Sequence, residues 1–150
     1  MTTITTLHHN DRARWDELWT GYLTFYATTL PPETFDLTWT KLFDGRIHGF
    51  GARDAAGKLI GITHYMYQET AWSAAPVCYL QDLYVDAALR GTGAGRKLIE
   101  AVAGAAKAHG ASRLYWLTQN HNAVARLLYD RLAQNRGFMR YDYPLYGSTP

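Results

Sequence analysis

A single cysteine, Cys78, stands among 150 residues. One thiol cannot close an intramolecular disulfide. Cys78 also lies in an apolar, strand-like run, away from His and Asn at metal or nucleophile spacing, so a disulfide scaffold and a thiol catalyst give way to a core position. Charge of one sign is equally scarce. Fifteen Lys and Arg balance thirteen Asp and Glu to a net charge of +2, and no basic run is long enough to track a phosphate backbone, so no nucleic-acid partner is expected. No stretch approaches the roughly 18 apolar residues of a membrane span, and no charged-then-apolar leader opens the chain. A cytoplasmic address without a membrane partner is the expectation. Six histidines are scattered without helical spacing to a carboxylate, and no metal site is expected.

What is present fits a folded globular chain: 47% of residues are apolar and 19% charged. The length suits one domain over residues 1–150 and leaves no room for a second. Alternation suggests a strand at Ile4–His8. A helix from Arg12 to Thr29 follows, its apolar face carrying Trp15, Leu18, Trp19, Tyr22, Leu23, Phe25 and Tyr26 and its end set by Pro31-Pro32. A second helix over Thr34–Phe43 closes at Asp44-Gly45. Strands are expected at Ile47–Arg53 and Lys58–Gln68, joined by the hairpin Asp54–Gly57, and at Val77–Val85. A helix at Gly93–His109 and a strand at Arg113–Leu117 complete a βαβ crossover, which requires parallel pairing. Asn122–Ala133 reads as another helix and Phe138–Leu145 as a last strand. The expected class is α/β: a mixed, mostly antiparallel sheet with helices on both faces.

Leu89-Arg90-Gly91-Thr92-Gly93-Ala94-Gly95-Arg96-Lys97 lies between a strand and a helix, so its backbone N–H groups gather at a helix N-terminus and attract phosphate. Glycines let the main chain approach an anion, and Arg90, Arg96 and Lys97 add positive charge. A Walker loop is excluded because Gly95 is followed by Arg96-Lys97-Leu98. A dinucleotide fingerprint is excluded because Arg96 stands where glycine or alanine is needed.

Arg90-x-x-Gly93-x-Gly95, after a strand ending in Leu83-Tyr84-Val85, resembles the pyrophosphate-binding motif of the GNAT superfamily of N-acetyltransferases. Asn122-x-x-Ala125-x-x-Leu128-Tyr129, followed by Gly137-Phe138, resembles that family's closing motif. One departure is the longer segment Asp130–Arg136 between the two parts of the latter. The resemblance implies acetyl-coenzyme A as cofactor, held by the main chain of Leu83, Tyr84 and Val85, by the loop Arg90, Gly91, Thr92, Gly93, Ala94, Gly95 and Arg96, and by Asn122. Tyr129 would lie near the sulfur as proton donor, and a main-chain N–H near Leu83 would stabilise the oxyanion. The family often pairs through its C-terminal strands, which makes a homodimer through Tyr141, Tyr143, Leu145 and Tyr146 an expectation.

The chemistry sets further demands. An alkyl amine with a pKa near 10.4 is only about 1 part in 2,500 neutral at pH 7, a penalty of about 4.6 kcal/mol. A base or a desolvating pocket must offset it. With Trp72 before Cys78–Asp82 and the helix end Leu128-Tyr129-Asp130-Arg131, the pattern most resembles the branch that includes histone, polyamine and D-amino-acid acetyltransferases. The segment Tyr79–Val85 resembles the strand on which family members, including spermidine/spermine acetyltransferases, often place a glutamate followed by an aspartate, and Gln81 stands at the place of that glutamate. An amide cannot accept a proton at neutral pH, which leaves Asp82, acting through a water, as the nearest substitute or else as a structural hydrogen-bonding group. Glu69, His64 and the C-terminal tyrosines are weaker candidates. Tyr26, Tyr67, Glu69, Trp72, Gln81 and Asp82 are the substrate-binding candidates, and the segment Tyr65–Trp72 combines aromatics with one carboxylate, a set suited to a cation. The acceptor, small molecule or peptide, is left open. Gln81 also keeps alive a second reading, a non-catalytic acyl-coenzyme A sensor or partner-binding module on the same fold.

Overall fold

Five segments pair side by side, in chain order, into one sheet in the computed structural model of this chain, which describes residues 1–147: β1 (Thr3–Thr6), β2 (His48–Arg53), β3 (Leu59–Gln68), β4 (Val77–Val85) and β5 (Leu114–Tyr115). The first four are antiparallel neighbours; β5 lies parallel to β4. Helix α3 (Ala94–His109) makes the crossover between them, as parallel pairing demands. Before β2 come α1 (Arg12–Phe25) and α2 (Pro32–Asp44); α4 (Ala123–Leu132) follows β5. The chain divides into two compact units, Met1–Leu117 with the sheet and α1 to α3, and Thr118–Pro150 with α4.

Each face of the sheet is covered because each helix carries an apolar stripe. Trp15, Leu18, Trp19 and Leu23 of α1 pack on Leu7, Leu59 and Ile62, with Tyr22, Phe35, Trp39 and Tyr84 around them. On the opposite face Ala94 and Leu98 of α3 pack on Ala52 and Ile60, beside Leu83 and Val85. Complete burial of a side chain such as Leu98 contributes roughly 1.5–3 kcal/mol. The β2–β3 hairpin turns as its sequence suggests: Asp54 Oδ1 accepts from the Ala56 and Lys58 N–H groups, and Gly57 takes φ +83°.

Several expected bounds move, β1 ending at Thr6 rather than His8 and β5 spanning only Leu114–Tyr115 rather than Arg113–Leu117. Helix α1 stops at Phe25 because Ala27 adopts φ +52°, while the Ala27 and Thr28 N–H groups bond back to Thr24 O and Leu23 O. That is a Schellman closure with alanine in the place usually filled by glycine, so no glycine announced it. Pro32 starts α2 rather than ending the helix before it, since proline at the first helical position gives up only an N–H that would have had no partner. The segment 138–145 forms no strand. Its aromatic and polar residues alternate as in a strand, but among the described residues no ladder partner takes up its main chain, and Phe138, Tyr141, Tyr143 and Leu145 stay exposed.

Candidate functional site

The site is organised by an irregularity in β4. Tyr65 pairs with Leu80 and His64 with Asp82, so Gln81 is an extra residue opposite the His64–Tyr65 step. Such a bulge reverses which face the following residues occupy. Leu80 pairs with Tyr65, whose ring stacks on Phe50 beneath α3, whereas Asp82 two residues later reaches the His64 side chain under α1. Strict alternation would have placed Leu80 and Asp82 on one face. Gln81 itself faces solvent.

Asp82 ends a chain of polar contacts. The Trp15 indole N–H, fully buried, donates to His64 Nε2 at 3.1 Å, and His64 Nδ1 lies 3.0 Å from Asp82 Oδ2. An indole can only donate, so Nε2 accepts and the ring proton sits on Nδ1, donating to the carboxylate. Thr63 Oγ1 donates to the Asp82 main-chain oxygen at 2.7 Å. From α1, Tyr22 and Tyr26 approach the same carboxylate. Burial, then the charge of Asp82 and hydrogen bonding to it, hold the Tyr22 phenol well above the usual tyrosine range. Burial and the Asp82 charge also raise Tyr26, partly offset by its hydrogen bond with Tyr22. Both phenols keep their protons at neutral pH. The rings of Tyr22 and Tyr26 are 5.0 Å apart, and Tyr84 meets Tyr22 edge-on at 6.5 Å, so Asp82 sits at the foot of an aromatic wall.

The second half of the site is main chain. β5 pairs with β4 only at Cys78–Leu114 and Tyr79–Tyr115, so among the described residues no strand lies against that edge of β4 from Leu80 to Val85. The open edge runs through a 3₁₀ turn at Ala87–Leu89 into the glycine loop and α3. Gly91 and Gly93 take φ +85° and +84°, and a Cβ built on either meets no atom within 4 Å, leaving the loop open to an approaching group. The Lys97 N–H bonds to Gly93 O, which makes the Ala94, Gly95 and Arg96 N–H groups the first turn, without helical partners. Ala94 is buried beneath it. Arg90 lies over the Tyr84 ring at 5.4 Å and donates to Val85 O; Thr92 Oγ1 donates to Leu89 O. Among the described residues Arg96 pairs with the exposed Glu100, an ion pair that costs little to break.

The structure thus gathers Tyr26 and Asp82 at one end of β4 and joins Leu83, Tyr84, Val85 and the loop Arg90 to Arg96 into one continuous stretch. It does not bring Tyr67, Glu69 or Trp72 to Asp82. Tyr67 stacks at 3.7 Å on His109 at the end of α3, which puts it on the opposite face. Glu69 and Trp72 lie exposed in the β3–β4 connection, Trp72 at 96%. His64 is no free base, because Trp15 occupies its Nε2. Cys78 is buried, and burial pushes its thiol up to about 11, which suits a core residue. In the second unit Asn122 precedes α4, its Nδ2 donating to Thr118 Oγ1 at 3.3 Å, and Tyr129 lies half-buried two turns on. Sequence reasoning missed the Trp15–His64 support and Gly21, where α1 comes against Tyr84. Neither has a local signal, because each partner lies tens of residues away. Among the described residues no three His, Cys, Asp or Glu side chains gather as a metal site, and no helix is long and apolar enough to cross a membrane. A separate depression of about 270 Å3, lined by Arg12, Asp16, Leu30, Pro32, Phe35 and Asp36, lies away from this arrangement, its arginine already paired with both aspartates.

The chain is 35% identical over 133 residues to D-amino-acid N-acetyltransferase HPA3 of Saccharomyces cerevisiae, covering 87% of this chain and 83% of that protein. Its fold matches ribosomal-protein-alanine N-acetyltransferase from Brucella melitensis biovar Abortus 2308 with a TM-score of 0.82 at 21% identity, covering 97% of this chain and 100% of the other. An aminoglycoside acetyltransferase from an uncultured soil metagenomic sample, in complex with trehalose, matches with a TM-score of 0.82 at 20% identity, covering 97% of both chains. Those two likenesses concern the fold. A family model agrees over residues 12–133, and the chain belongs to the acetyltransferase (GNAT) family.

Proposed function

We propose that this protein acetylates a primary amine with acetyl-coenzyme A, binding the cofactor along β4 and the glycine loop and the amine at Asp82. The observation that carries this reading is that, among the described residues, no strand pairs with β4 from Leu80 to Val85 on that edge, which leads directly into first-turn amides of α3 without helical partners. The arrangement fits the cofactor: a long arm of amides needs main-chain partners, and a diphosphate needs N–H donors with no Cβ in the way. Leu83, Tyr84 and Val85 would hold the arm; Gly91 to Arg96, with Arg90, would hold the diphosphate, and Asn122 would add a contact by its motif position. When bound, acetyl-coenzyme A supplies an acyl thioester to the attacking nitrogen.

Asp82 binds the ammonium form and takes up its proton, directly or through a water, releasing the lone pair. Tyr22 and Tyr26 wall the amine on the α1 side. Tyr129 donates a proton to the leaving sulfur, a role that rests on its place in the closing motif, and a main-chain N–H near Leu83 stabilises the oxyanion. The placement of Asp82 favours an enzyme over a sensor lacking a base. D-amino acids stand first among acceptors because of what the yeast relative is named for, with polyamines and lysine peptides next. That both units form one catalytic domain, that the protein is cytoplasmic, and that two copies pair through the exposed aromatic run near Tyr141 belong to the same proposal.

The test is calorimetry with acetyl-coenzyme A on wild type and Gly93→Glu, followed by thiol release over a panel of D- and L-amino acids, spermidine and lysine peptides. A side chain at position 93 meets no atom within 4 Å, but the φ of +84° strains any residue other than glycine by roughly 1–2 kcal/mol, so a thermal melt first checks that the variant is folded, and the folded variant should have lost binding. Undiminished binding would refute the loop, and tight binding without turnover of any amine would favour the sensor.

A further inference from the structure

Resting on that reading, we propose that His64, locked by the Trp15 indole, is a positioning residue that aims the Asp82 carboxylate at the acceptor amine. Burial grades along the relay: Trp15 is fully buried, the His64 side chain is 2% exposed, and the Asp82 side chain is 14% exposed, so only the last can touch a substrate. The imidazole has one orientation. Trp15 and Trp19 flank it at ring distances of 5.9 and 5.0 Å, and a flipped ring would point carbon at both the indole donor and the carboxylate. The tautomer is equally determined, because a proton on Nε2 would oppose the indole N–H.

Asp82 therefore gives one lone pair of Oδ2 to His64, while Thr63 anchors its main chain from the neighbouring strand. Up to three acceptor positions remain, shared between Tyr22 and an incoming ammonium. A carboxylate two bonds from its backbone would otherwise rotate freely. Fixing its direction is what placement of a reacting nitrogen requires, since an error of about 1 Å can cost about 100-fold in rate. The bulge at Gln81 and the His64 relay act together: one sets the face, the other the angle.

The test has two arms. In histidine-labelled protein, 1H–15N correlation spectra should show His64 protonated on Nδ1 only, its signal moving in Asp82→Asn; a proton on Nε2 overturns the proposal. In kinetics with D-phenylalanine and spermidine, His64→Leu should lose about 10- to 100-fold in kcat/KM for the amine with acetyl-coenzyme A affinity unchanged. His64→Asn, whose amide can donate from nearly the same place as Nδ1, should recover most of it. Equal losses in both variants, or lost cofactor affinity, would mean that His64 serves the fold alone and would overturn the proposal. Wild-type protein that acetylates no amine sinks the underlying acetyltransfer reading and this proposal with it; the tautomer signal, independent of turnover, tells the two failures apart.

Discussion

Gly21→Ala sets helix propensity directly against tertiary packing. Gly21 lies inside α1, where alanine is favoured over glycine by about 0.8–1.0 kcal/mol. For a domain of this size that alone would raise Tm by roughly 2–4 °C. The structure predicts the opposite sign. A Cβ at position 21 would sit 2.5 Å from Tyr84 Oη and 2.8 Å from Cζ, where carbon and oxygen need well over 3 Å. Tyr84 cannot simply swing aside, because Tyr22 meets it edge-on and Arg90 lies over its ring. Overpacking of this kind costs typically 1–3 kcal/mol, so the net effect should be a loss of about 1 kcal/mol and a Tm fall of about 2–4 °C. In a Tyr84→Ala background the obstruction is gone and the propensity gain should return, giving a coupling of about 2 kcal/mol in the double-mutant cycle. Thermal melts of the four proteins measure it. A rise in Tm for Gly21→Ala alone would refute the close approach of α1 to β4, on which the aromatic wall around Asp82 depends.

Two stability tests address the polar core. Trp19 Nε1 is buried without an acceptor among the described residues, so Trp19→Phe removes a donor that already costs about 1–3 kcal/mol, and its urea midpoint should stay close to wild type. Trp15→Phe strands His64 Nε2 and should cost about 2 kcal/mol more by the same measurement. Asp11 accepts from both terminal nitrogens of Arg53 and from the His8 N–H; burial pulls its carboxyl up, but these bonds and the Arg53 charge leave it below the ordinary range. Its folded value lies below its unfolded one, so its contribution is complete above the unfolded pKa and is lost as pH falls through the folded value. The stability gap between wild type and Asp11→Asn should therefore be constant above about pH 5 and shrink below about pH 4; a gap that widens in acid contradicts the pairing.

Much of this protein was legible in local pattern, because local pattern is where its physics acts. The apolar spacing of α1 and α3, the Asp54–Gly57 hairpin and the strand–glycine loop–helix order depend on residues within one or two turns of each other, and they yielded the α/β class, the crossover and the glycine loop at the head of α3. The family's two motifs were legible for the same reason. What only the tertiary structure decided are relations between distant residues. The extra residue Gln81 in β4 has meaning only against β3, and it alone turns Asp82 toward α1. Whether a histidine has a nitrogen to spare, and whether a glycine is tolerated or required, depends on contacts between residues distant in the chain: Trp15 with His64, His64 with Asp82 and Gly21 with Tyr84. The run 138–145, which forms no strand among the described residues, makes the same point in reverse: alternation can propose a strand, but only a neighbour's backbone can complete one.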